Sequence, residues 1–155
     1  MKKFRLAVGS DHAGFAQKSF VIEFLRGLGH TVEDCGTFND TPVDFPDITC
    51  DVCARVQDGR ADRAILVCGS GVGACIVANK LSGIRASLIH DIYCAHQCVE
   101  HDDVNVACIG GLVIGRKVME DCLVAYLAAE YSTDPDVRRR VDKLNALDHR
   151  PGGAR

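Results

Sequence analysis

The stretch Ile65-Leu66-Val67-Cys68-Gly69-Ser70-Gly71-Val72-Gly73-Ala74-Cys75-Ile76-Val77-Ala78-Asn79-Lys80 decides how this chain folds. An apolar run ends in Cys68, a glycine-rich turn with one hydroxyl follows, and a helix-like segment begins at once. This reading sets a thiol at the carboxyl end of a buried strand, beside backbone amides that can face an anion. A thiol and an anion cradle in one turn point to catalysis.

Outward from this stretch the same alternation continues. Residues 6–9 read as a first strand. Residues 13–28 carry Phe20, Phe24, Leu25 and Leu28 at helical spacing, and Gly29 ends that helix. Residues 31–35 read as a second strand. After a loop with Pro42 and Pro46, residues 47–58 read as a helix with Asp47 as N-cap. A third strand at 64–67 precedes a helix at 72–82, and a fourth at 84–89 precedes one at 92–101. A fifth strand at 104–109 is closed by Gly110-Gly111, and a helix at 115–130 follows. Asp134-Pro135 opens a last helix, and 150–155 reads as a disordered tail. Strand and helix alternating five times predicts an α/β fold, a parallel sheet with helices on both faces. Ligands bind at the carboxyl ends of such strands. Three turns are therefore expected at one edge: the one at residues 9–12, the one at 68–71, and the one after strand four near His90-Asp91.

The 155 residues, 47% apolar and 25% charged, match one globular domain, taken as residues 1–149. A net charge of −3 argues against a general nucleic-acid binder. No apolar run approaches the roughly 18 residues of a membrane span. The apolar run after residues 1–5 is too short for a signal-peptide core, so a cytosolic protein is expected. Nine cysteines are many, but their odd number and spacing do not suit a disulfide framework. Cys35, Cys75, Cys108 and Cys122 lie in apolar stretches and read as small core hydrophobes.

The glycine turn admits more than one chemistry. Gly69 to Ala74 fits the loose dinucleotide pattern G-x-G-x-x-A, and Asp91 stands 22 residues after Gly69, where a ribose-binding acid would sit. Against this, the turn follows the third strand rather than the first. At Cys68 a helix N-terminus would lower the thiol pKa and favour thiolate. A thiolate can attack as a nucleophile with His101 or His12 as partner. It can also abstract a carbon-bound proton while the amides of Gly71 and Gly73 hold the developing enediolate oxygen. Asp11 caps a helix or faces substrate, with His12 near an anionic group. Cys94, Cys98 and His101 share one helical face and Cys50-Asp51-Val52-Cys53 is a C-x-x-C, but both lie inside helical patterns without a second knuckle. Arg138-Arg139-Arg140 is a solvated helix face or a phosphate grip.

The motifs form a set. Gly9-Ser10-Asp11-His12-Ala13-Gly14, Asp44-Phe45-Pro46, Cys68-Gly69-Ser70-Gly71-Val72-Gly73, Ala78-Asn79-Lys80, Gly83-Ile84-Arg85-Ala86 and His101-Asp102 occur in this order. The set resembles the type B ribose-5-phosphate isomerase family, which includes the galactose-6-phosphate isomerase subunits. The resemblance spans residues 4 to about 147. It implies a Rossmann-like three-layer αβα sandwich, homodimers or homotetramers with sites between subunits, and no metal or other cofactor. It also implies aldose–ketose interconversion of a sugar phosphate through a cis-enediolate. In that pattern Cys68 moves the proton between carbons one and two, and His101 opens the sugar ring with help from Ser70. The amides of Gly69, Gly71, Val72 and Gly73 stabilise the enediolate oxygen. Asp11, Asp44 and Asn79 match sugar-hydroxyl or support positions, His12 a phosphate contact, and Arg140 a phosphate arginine given to the partner subunit's site.

Four positions depart from the pattern. Phe45 stands where tyrosine is common, and Asp102 where asparagine follows the histidine. Leu112 and Asp136 replace phosphate arginines, each worth about 1.5–3 kcal/mol as a charge-assisted contact. The departures widen the substrate reading to galactose 6-phosphate, a tetrose phosphate or an unphosphorylated sugar.

Overall fold

The apolar runs pair side by side in the computed structural model, which describes residues 2–149. Strands β1 (Arg5–Ser10), β2 (Thr31–Cys35), β3 (Arg63–Cys68), β4 (Ala86–Leu88) and β5 (Val106–Gly110) form one parallel sheet in the order β2-β1-β3-β5-β4. Between and after them run α1 (Phe15–Gly27), α2 (Phe45–Gln57), α3 (Val72–Ala78), α4 (Ile92–Asp102), α5 (Arg116–Ala128) and α6 (Pro135–Asn145). The tail expected at 150–155 lies outside the described residues.

Alternation along the strands builds two cores. Ile65 and Val67 of β3 join Leu6 and Val8 of β1 against Val21 and Leu25 of α1 and Met119 and Leu123 of α5. Ala64, Leu66 and Cys68 join the opposite core, with Val52 and Cys53 of α2 and Ala74 and Ala78 of α3. Burying both faces requires near-continuous apolar strands, and each large aliphatic side chain so buried contributes about 1.5–3 kcal/mol. The result is the expected Rossmann-like three-layer αβα sandwich.

The elements differ from the sequence expectation mainly at their ends. Helix α2 begins two residues earlier than Asp47, because Pro46 fits a first helical turn and Asp44 supplies the extended flanking residue. Strand β4 keeps only three residues of the expected six, as an edge strand paired to β5 alone. Gly29 ends α1 at φ +85°, a conformation that favours glycine. One buried charge braces the loop after β2: Lys18 of α1 donates to Asp34 Oδ1 at 2.5 Å and to the Gly36 and Thr37 carbonyls at 2.8 and 2.7 Å.

At the opposite end of the sheet, buried His30 accepts the Phe4 amide on Nδ1 at 3.2 Å and stacks on the Phe4 ring. Its Nε2 is buried without a partner. Burial, then the nearby Lys3 charge, lowers its pKa. A depressed histidine contributes stability that is present above the unfolded value of 6.5 and lost as pH falls toward the folded value. Thermal unfolding between about pH 5 and 8 is therefore expected to show a Tm that drops on the acid side. The His30→Gln variant is expected to show a shallower drop, and an unchanged slope would remove His30 from the account.

Candidate active site

Parallel sheets open a crevice where strand order reverses, outside the carboxyl ends of the strands. Here that point lies between β1 and β3, since β2 and β3 flank β1 on opposite sides. The two turns leaving these strands are wedged together. A Cβ at Gly14 would stand 2.0 Å from the Val67 carbonyl oxygen, so only glycine lets the first turn rest on β3. Buried Asp11 holds that turn by accepting the Gly14 amide on Oδ1 at 2.9 Å.

The second turn carries the thiol. Gly71, at φ +81°, points its amide at Cys68 Sγ, 2.8 Å away. The Val72 amide donates to Ser70 Oγ at 3.3 Å. Burial pushes the Cys68 thiol above its ordinary value. The Gly71 amide pulls it down, the Asp11 charge adds to the rise, and the Ala74 and Ser70 amides pull it down again. The net direction is upward, which corrects the expectation of a helix-lowered pKa. Only 6% of Cys68 is exposed, and desolvation of the thiolate outweighs a one-turn array of amides. Those amides cradle the sulfur itself. The Gly73 amide has no partner among the described residues and is left as a free donor at the start of α3. The Phe45 ring packs against the Cα side of Gly73: a Cβ there would meet that ring at 2.8 Å.

A fourth turn joins the three expected at this edge. Strand β5 lies between β3 and β4, so the turn after β5 abuts the thiol turn. Gly111 donates to the Cys68 carbonyl at 2.8 Å and Leu112 to the Gly69 carbonyl at 3.1 Å. Leu112 itself is 81% exposed at the rim. The expected turn after β4 sits one strand further out at the same edge, and reaches inward through His90, whose Nε2 accepts the Gly110 amide at 2.8 Å. A cleft of about 540 Å³ opens on the other flank, lined by His12, Pro42, Val43, Asp44, Asp47 and Ile48. His12 accepts the Val43 amide on Nδ1 at 3.2 Å, which leaves Nε2 as its remaining polar atom.

Four residues grouped with Cys68 by sequence stand elsewhere in the same chain. Helix α4 starts at the carboxyl edge and runs back, so His101 and Asp102 in its last turn lie at the opposite edge. Just beyond them the Asn105 carbonyl accepts the Ala64 amide, four residues before Cys68 on β3; at the rise of a strand that is about 13 Å. His101 is exposed, with Gln97 Nε2 3.3 Å from its Nδ1. Arg140 is exposed on α6, which packs against α4, and it forms no ion pair among the described residues. Neighbouring Arg139 pairs with Asp136. Asn79 is a support rather than a sugar contact: its amide brackets Ala86, donating to the carbonyl and accepting the amide, both at 2.8 Å.

Two rival chemistries lose their geometry. Asp91 caps α4 by accepting the Cys94 amide at 2.7 Å, and β5 separates its strand from the glycine turn. A ribose-binding acid would stand on the adjacent strand. Cys98 is buried and donates to the Ala95 carbonyl, while His101 projects outward. No three possible metal ligands converge among the described residues. Cys75 carries a signal that its apolar surroundings hid. The buried Cys108 thiol donates to it and lowers its pKa, although its own thiol faces the Ala86 carbonyl of β4. Among the described residues no helix is long and apolar enough to cross a membrane.

The ribose/galactose isomerase family model matches residues 6–144. Ribose-5-phosphate isomerase B of Escherichia coli (strain K12) is 36% identical over 150 residues, covering 97% of this chain and 99% of that protein. D-erythrulose-4-phosphate isomerase of Pectobacterium atrosepticum is 33% identical, covering 93% of this chain and 95% of that protein. The structure of type B ribose 5-phosphate isomerase from Leishmania infantum superposes with a TM-score of 0.92 at 35% identity, over 95% of this chain and 97% of that one.

The packing of the turn separates two glycine substitutions. Gly71→Ala meets both a left-handed backbone and the Leu88 side chain at 2.6 Å, and should cost about 1–3 kcal/mol of stability from the backbone alone. Gly73→Ala meets only the end of the Phe45 ring. Adding Phe45→Ala should therefore restore the stability of Gly73→Ala and leave that of Gly71→Ala unrestored, as read by denaturant unfolding.

Proposed function

The chain belongs to the ribose/galactose isomerase family, and from that premise we propose that Cys68 is the base through which it interconverts a sugar phosphate aldose and its ketose. The family makes it an aldose–ketose isomerase. The substrate we assign is of the ribose 5-phosphate to ribulose 5-phosphate type, and residues 1–149 form the one isomerase domain. The observation that carries the reading is the Gly71 amide, 2.8 Å from Cys68 Sγ at the reversal point of the sheet.

The chemistry follows from this geometry. An open-chain aldose placed over the turn loses its C2 proton to the Cys68 thiolate and becomes a cis-enediolate. The resulting thiol returns a proton to C1 while the O2 hydroxyl proton passes to O1, which yields the ketose. The amides of Ser70, Gly71 and Ala74 stabilise the thiolate, and we assign the developing oxyanion to the Gly73 amide, which has no partner among the described residues. Asp11 fixes the neighbouring turn, while His12 and Asp44 line the cleft beside it. Ring opening needs a further acid–base group. We assign it to His101 of a second copy of the chain, with Arg140 of that copy on the phosphate, since both stand outward and remote from Cys68 in their own chain. The working unit is then a homodimer or homotetramer with shared sites. The cytosol is the compartment we assign; an odd count of nine cysteines, none paired among the described residues, supports a reducing environment.

One observation favours a second substrate reading. The rim over Gly69 carries exposed Leu112, and Asp136 occupies Arg139, so this chain brings few cations to the distal end of the sugar. An unphosphorylated sugar suits that rim, whereas galactose 6-phosphate or a tetrose phosphate differs from ribose 5-phosphate in chain length and not in the charge to be held. A panel of four- to six-carbon sugars, each with and without phosphate, decides by relative kcat/KM.

Cys68→Ala should lower kcat by about 10²–10⁴-fold, the usual contribution of a positioned base; a variant of full activity would end the assignment. Because the buried thiol titrates high, kcat/KM should rise with pH through an ionisation above the ordinary cysteine value. Mixing inactive Cys68→Ala and His101→Ala chains under subunit exchange should restore about a quarter of parent activity, the share of intact sites in randomly paired two-fold dimers. No recovery would place His101 outside the shared site.

A further inference from the structure

We infer that His90 is a positioning residue for the proton-transfer turn and acts through the amide of Gly110. The β4–β5 ladder reaches Leu88 paired with Cys108, and Ile89 still donates to the Cys108 carbonyl at 3.1 Å. The next inward amide of β5, that of Gly110, goes to His90 Nε2 at 2.8 Å. The strand ladder therefore ends on an imidazole. This allows the chain after β4 to turn into α4 without leaving a buried N–H unpaired.

Gly110 is the platform of the thiol turn. It is the register partner of Cys68 across β3 and β5. A Cβ at Gly110 would stand 2.7 Å from the Ser70 carbonyl oxygen, and one at Gly71 3.1 Å from the Gly110 nitrogen. Ser70 and Gly71 therefore rest directly on the Gly110 backbone, and the imidazole grips that backbone through its amide. Without the acceptor, the buried Gly110 N–H must seek another partner. Movement of Gly110 then moves Gly71, whose amide supports Cys68 Sγ. His90 Nε2 can accept only if the ring is neutral with its proton on Nδ1.

The inference rests on the reading of Cys68 as base, and its test separates the two. In His90→Phe, which keeps a ring but no acceptor, kcat should fall about tenfold or more with KM little changed, as expected of a small misplacement of a reacting group. The pH midpoint of Cys68 alkylation by iodoacetamide, followed on the Cys68 peptide by mass spectrometry, should move upward. His90→Gln, whose amide oxygen reaches the Nε2 position, should restore both. An unchanged kcat, an unmoved midpoint or a failure of glutamine to rescue would each overturn the role. In the unmodified protein at pH 8, long-range ¹H–¹⁵N correlation must show the His90 proton on Nδ1; a proton on Nε2 overturns the inference even if the variants do not fold. The alkylation midpoint does not depend on turnover, so activity retained by Cys68→Ala would sink the base assignment alone.

Discussion

The contact on which the site depends is the amide of Gly71 aimed at the sulfur of Cys68. It requires a left-handed residue at 71, and glycine supplies one without strain. It requires β3 to end at Cys68, and the Gly111 and Leu112 amides fix that end by capping the Cys68 and Gly69 carbonyls. It also requires the α2–α3 core beneath, because Ala74 and Cys68 are buried together there. Sheet order, turn conformation and core packing all converge on the position of one sulfur atom.

That position sets two forces against each other. Burial raises the thiol, and the converging amides hold it within reach of ionisation. Desolvation and the amides act in opposite directions on the thiolate, and a raised thiol is the less readily oxidised or alkylated one. The same amide array cannot serve sulfur and substrate with the same donors, and this gives the Gly73 amide its distinct place.

Much of this was legible in the residues. The strands announced themselves as apolar runs because the sheet is buried on both faces, and the glycines of the turn marked its conformation. What local sequence does not carry is the order of strands in space. The insertion of β5 between β3 and β4 moved Asp91 away from the glycine turn and put Gly110 beside it. The direction of α4 likewise carried His101 to the far edge, a placement that spacing along the chain does not determine. Burial depth was equally hidden: a helix start beside Cys68 suggests a lowered pKa, and only the packing of two cores shows why desolvation wins. The resemblance left Asn79 as a sugar-hydroxyl or a support position, and its two bonds to the Ala86 backbone favour support.

The central claim is that a single thiol carries the proton between two substrate carbons. The direct measurement is isomerisation in deuterated water with the sugar at equilibrium, followed by mass spectrometry of the substrate and product. The parent enzyme is predicted to wash deuterium into the C2 position of the aldose and the C1 position of the ketose, and Cys68→Ala to leave both unlabelled. Incorporation by Cys68→Ala at the parent rate would contradict the account.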